Sequence, residues 1–126
     1  MSLLAPIKKA RGLGSAKDGV HHWWMQRVTA IALVPLTLWV VFAVASHTGQ
    51  SYEDVQAWLS KPFTTAMFTL FVFTSFYHAA LGLQVIIEDY VHNEAVKFAA
   101  LIGVKLMLAL LGTVSVVSVL RVAFAG

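Results

Sequence analysis

Residues 28–45 read VTAIALVPLTLWVVFAVA, inside a run of 25 positions between Arg27 and Glu53 that carries no formal charge. At about 1.5 Å of rise per residue, those positions 28–45 reach roughly 27 Å as a helix, close to the hydrocarbon thickness of a bilayer. The run therefore reads as a membrane-spanning helix. Pro35 in its middle removes one backbone hydrogen bond and is expected to kink it, a defect that membrane helices tolerate when neighbours satisfy the freed carbonyl. A secretory signal peptide is the rival reading, because Ala43-Val44-Ala45 before Ser46 fits a cleavage site. A 27-residue arm and so long an apolar run argue against it.

The pattern recurs twice downstream. Pro62 to Ile87 is free of formal charge for 26 residues and opens with a proline suited to a first helical turn. Phe98 to Phe124 is a third apolar run, in which Lys105 and Arg121 can snorkel toward opposite interfaces. The expected fold is all-α: an N-terminal arm over 1–27, then a transmembrane domain over 28–126 with spans near 28–46, 63–87 and 98–124. GLGSAKDG, at 12–19, is expected to be a flexible lead-in.

Composition agrees with the spans. Apolar residues make up 59% of the 126-residue chain and charged ones 12%, about half the charged share of a soluble domain. The net charge of +3 is not a nucleic-acid footprint, because five of the nine Lys and Arg (Lys8, Lys9, Arg11, Lys17 and Arg27) precede the first span. With Lys97 and near-interface Lys105 they place seven basic residues on one side against two on the other, so the N-terminus is expected inside and the C-terminus outside. The absence of cysteine excludes disulfides, thiolate nucleophiles and iron–sulfur clusters held by this chain.

His78 is the one ionisable side chain deep within a charge-free span. A polar group buried in a lipid-embedded helix costs several kcal/mol unless paired. Either the imidazole bonds a neighbouring helix or it is an axial ligand to haem iron. Ser75 and Gly82, one turn to each side, leave a shallow strip that suits a flat macrocycle and equally suits close helix packing. His21, His22, Trp23, Trp24 and Arg27 cluster at the inner mouth of the first span, where the tryptophans fit an interfacial belt and Arg27 and the histidines can meet lipid phosphates; beside a haem, Arg27 and His21 lie at the level of its propionates. Glu88-Asp89-Tyr90 ends the second span, and a phenol beside a carboxylate is also what a quinone carbonyl requires. His47 and His92 fall in connections and are expected to be solvated. No zinc-protease, nucleophile-elbow or phosphate-loop motif is present.

The stretch from His78 through Gly82 to Asp89-Tyr90 resembles the corresponding segment of a known family, the smaller hydrophobic membrane anchors of succinate dehydrogenase, respiratory complex II. Upstream, Gly19-Val20 followed by Arg27 and Thr29-Ala30-Ile31 is similar to that family's GVxxxxxxRxTAI segment. The resemblance covers essentially the whole chain. It implies that His78 is the axial ligand of haem b, with the opposite ligand coming from a companion cytochrome b anchor chain. Tyr90 and neighbouring Asp89 would serve a ubiquinone site, and Arg27 and His21 would lie near the haem propionates. His22 stands where some relatives carry an acid.

The resemblance further implies two more partners, an iron–sulfur protein and a flavoprotein, together with a role in electron transport and the tricarboxylic acid cycle. The location it implies is a bacterial cytoplasmic or mitochondrial inner membrane. It leaves a trimer of heterotetramers open as the assembly, and the chain would not be catalytic alone. A haem-lacking anchor of a related fumarate reductase or succinate dehydrogenase, and a small proton-path transporter component, are the alternatives.

Overall fold

The computed structural model describes the backbone of residues 15–125 and side chains from residue 19 onward. Among these residues the chain is entirely helical: α1 (Ser15–Ser46), α2 (Tyr52–Leu59), α3 (Pro62–Tyr90) and α4 (Glu94–Phe124). Three of them, α1, α3 and α4, are long and apolar enough to cross a membrane, as the three charge-poor runs require. Lys8, Lys9, Arg11 and the Gly12-Leu13-Gly14 part of the lead-in lie outside the described residues.

The first helix begins thirteen residues before the apolar run at Val28. Ser15 to Gly19, expected as flexible lead-in, is already helical. At about 1.5 Å per residue, its 32 residues extend to roughly 48 Å, so α1 projects beyond the hydrocarbon layer on one side. Pro35 lies within α1, which continues through it to Ser46.

Local chemistry sets the other boundaries. Gly49 turns the chain with φ +85, a conformation only glycine adopts without strain. Ser51 caps α2, its Oγ accepting from the Asp54 N–H at 3.2 Å and donating to the Asp54 carboxylate at 2.8 Å. Pro62 starts α3, where its missing N–H costs nothing. Asn93 caps α4 by accepting from the Val96 N–H at 3.1 Å. Hydroxyls within α4 turn inward on their own helix: Thr113, Ser115 and Ser118 donate to the carbonyls four residues earlier, which makes them tolerable in lipid.

Helices α1 and α4 do not touch; each packs against α3, leaving a three-helix row with α3 in the middle. Both pairs are antiparallel. Along α1 and α3, Thr29 meets His78 and the Trp39 ring lies 5.4 Å from that of Phe68. Along α3 and α4, Gly112 brings the backbones together, since a Cβ placed there would sit 3.3 Å from Phe76 Cγ.

A row buries little. Among the described residues the buried ones are Leu36, Ala43, Ile87 and Ala123 with Thr29, Thr64 and Thr74, and no side chain is fully enclosed. Phe42 is 75% exposed and Ile31 71%. Two broad apolar faces are thus left for lipid or another membrane chain.

Candidate functional site

The half of the α1–α3 contact nearer the start of α1 carries a polar seam in an otherwise apolar layer. His22, Gln26 and Thr29 are spaced so that one stripe of α1 holds all three, and that stripe faces His78 and Gly82 of α3. Thr29 is buried, and its Oγ lies 2.6 Å from the Met25 carbonyl oxygen and 2.8 Å from His78 Nδ1. A hydroxyl has one proton, and two oxygens at that separation need it between them, so Thr29 donates to Met25. The imidazole Nδ1–H must then donate to Thr29 Oγ. In a neutral ring this arrangement leaves the lone pair on Nε2, which makes no hydrogen bond among the described residues.

An imidazole whose second nitrogen is held by a hydrogen bond is the arrangement of a metal-ligating histidine. No group of three or more His, Cys, Asp or Glu side chains gathers among the described residues, so a bare ion finds no ligand set there. A metal carried in its own macrocycle asks for only one or two protein donors, and a single His78 Nε2 fits that demand.

The strip beside His78 is partly taken up by helix packing. A Cβ on Gly82 would lie 3.7 Å from the Gln26 amide nitrogen, so α1 uses the clearing that the small residue creates. Gln26 Oε1 and His22 Nε2 are both buried without a hydrogen-bond partner. The seam is therefore under-satisfied as well as polar, a condition typical of sites that receive water or another polar group.

The remaining sequence-derived candidates do not join His78. Arg27 is exposed and stacks over Trp23, 5.3 Å from the ring centroid. It lies about 140° around α1 from His22, on a different face from the seam. His21 is exposed and displaced about 100° from His22 in the other sense. On α3, Asp89 falls about 20° from the His78 meridian and Tyr90 about 120° away. Both are exposed, and Tyr90 is the last residue of the helix. These four exposed side chains lie toward the start of α1 and the end of α3, Asp89 close to the meridian of His78 and the other three on different faces.

Thr29, Gln26 and His22 were the partners that sequence reasoning missed. Beginning the helix at Val28 cut the stripe in two. With α1 extended back to Ser15, the polar residues at 22, 26 and 29 align at helical spacing and would have pointed to a facing polar group.

His47 is not solvated as expected. Its ring stacks on Trp58, 3.7 Å between centroids at 17°, and its Nδ1–H donates to the Ala43 carbonyl at 2.8 Å. It belongs to an aromatic cluster with Trp39, Trp58, Phe63 and Phe68 under α2.

The family described as succinate dehydrogenase/fumarate reductase transmembrane subunit matches residues 1–112. The chain belongs to that family. The succinate dehydrogenase hydrophobic membrane anchor subunit of Rickettsia bellii (strain RML369-C) is 40% identical over 102 residues, 81% of this chain and 82% of the relative. That of Paracoccus denitrificans is 36% identical over 104 residues, 82% of this chain and 81% of the relative. The succinate dehydrogenase membrane anchor subunit of Reclinomonas americana is 34% identical over 94 residues, 72% of this chain and 78% of the relative. The transmembrane row is thus the fold of a succinate dehydrogenase membrane anchor, and its unburied apolar faces suit a chain that works in an assembly.

Proposed function

We propose that the chain anchors a succinate:ubiquinone oxidoreductase in the membrane, supplies one axial ligand to a haem b shared with a companion anchor chain, and contributes to the ubiquinone site. The observation that carries this reading is the bare Nε2 of His78, set by the Thr29 hydrogen bond. When bound, the haem supplies one-electron redox capacity whose potential depends on its ligands and surroundings. Thr29 keeps the imidazole in the ligating tautomer and stops the ring from turning. Arg27 and His21, near the inner end of α1, supply positive or donor groups for propionates from this chain's side of the shared site. The companion chain would hold the haem from its other side and cover the face of the row beside His78.

Tyr90 donates its phenolic proton to a quinone carbonyl, and Asp89 holds acceptor capacity beside it for proton delivery. Both stand at the end of α3 that the basic-residue bias assigns to the cytoplasmic or matrix side. An iron–sulfur protein carrying electrons from a flavoprotein would dock on that side. Tyr90 is 77% exposed in the single chain, as a residue completed by partners should be.

A haem-lacking anchor is favoured by one specific observation, the Gln26 amide over Gly82, which fills the strip a macrocycle edge would use. Haem content of the purified complex separates the two. The proposed function expects one haem b per complex, lost in His78→Ala. A wild-type complex that turns over ubiquinone with no haem selects the second reading.

A further inference from the structure

On the side of α3 turned away from His78, α3 and α4 enclose an apolar groove of about 710 Å³. Phe73, Tyr77, Leu108 and Val116 contribute its walls, and the close approach of Gly112 to Phe76 forms its floor. Tyr77 and Thr113 are polar members of its lining along its length, and Gln84 and the one cation, Lys105, line the end nearer Tyr90. Gln84 donates to the Glu88 carboxylate at 2.9 Å, whereas Lys105 makes no ion pair among the described residues. Lys105 lies seven positions past Phe98, where the apolar run begins, about 10 Å along the helix and between apolar neighbours. A lone ammonium at that depth is costly unless it reaches the interface or meets an anion.

We propose that this groove seats one acyl chain of an anionic phospholipid, whose phosphate meets Lys105. The charge is complementary, the walls are aliphatic and aromatic, and the cation stands where a chain lying in the groove turns toward the interface. The inner leaflet as its source rests on the orientation given under the proposed function. A companion helix is a poorer occupant, since it would have to bring an acid to the same depth to satisfy the ammonium.

The test uses the intact complex, purified from membranes and exchanged into nanodiscs of phosphatidylcholine with or without phosphatidylglycerol. Native mass spectrometry reads the lipid retained per complex. The wild type and Lys105→Arg retain one phosphatidylglycerol. Lys105→Gln retains about fivefold less, as expected for the loss of one cation near an anionic headgroup. Ala109→Phe, which fills the groove from a wall position, abolishes retention of either lipid. Equal retention in all four proteins overturns the proposal. So does a photo-crosslinker at Ala109 that captures the companion chain instead of lipid. The haem absorbance of the same samples is read in parallel: its absence with lipid retention intact counts against the haem reading alone.

Discussion

Two histidines are held by hydrogen bonds to α1, His78 against its middle and His47 just past its last residue, and their surroundings differ in kind. His47 spends Nδ1 on the Ala43 carbonyl of its own helix and covers one ring face with Trp58. Trp39 and Phe68 pack on Trp58 in turn, so the ring is tied into an aromatic cluster. His78 spends Nδ1 on a hydroxyl from a different helix, its Nε2 makes no hydrogen bond among the described residues, and the stripe of α1 that carries Thr29 also holds two buried polar atoms without partners, on His22 and Gln26. Aromatic stacking and a local hydrogen bond tie down the His47 ring, whereas no hydrogen bond among the described residues occupies His78 Nε2. Thr69 Oγ1, one residue from Phe68, is also buried without a partner, so unpaired polar atoms are not confined to the His78 seam.

The strongest break in that comparison is His78→Leu, expected to eliminate the low-spin b-type absorbance completely. His47→Leu should leave the band intact and lower thermal stability instead. Next in size, Tyr90→Phe is expected to cut ubiquinone reduction by about tenfold or more, of the order that positioned proton donors contribute. Succinate oxidation by an artificial dye should persist, and equal loss of both would signal failed assembly.

Thr29→Val removes the group that orients His78 while keeping the side chain's shape. Loss of such an orienting partner weakens metal retention by about 10- to 100-fold, so haem should be partly lost or easily displaced. Thr29→Ser should restore it. At the outer end, Trp58→Ala is expected to destabilise by about 2 kcal/mol, below the range for fully buried aromatics because Trp58 is half-buried. A calorimetric scan of the complex would show this, with the haem spectrum unchanged. The smallest effect is expected from Arg27→Gln, a shift in haem potential with the band retained. No shift would leave Arg27 to lipid phosphate and to its stack on Trp23.

The three spans were legible because long charge-free runs have few physical outcomes in a chain this apolar. His78 was legible for the same reason, as the lone ionisable group inside one. The seam was not, because its polar residues straddle the point at which apolar character begins and α1 starts well before it. The short helix α2 was not read from the sequence, although Ser51 and Asp54 have the spacing that caps a helix start; its packing on Trp39 and His47 depends on contacts distant in sequence. Which faces of the row are covered, and by what, depends on chains outside this one. For that reason His21, Arg27, Asp89 and Tyr90 are placed by the fold without being brought to a common point.

The central claim is that His78 Nε2 holds iron, and a reduced-minus-oxidised visible spectrum of the solubilised complex tests it most directly. Wild type and His47→Leu should give the same sharp b-type bands, and His78→Leu should give none while the complex stays assembled. Bands of undiminished height in an assembled His78→Leu complex would contradict the account.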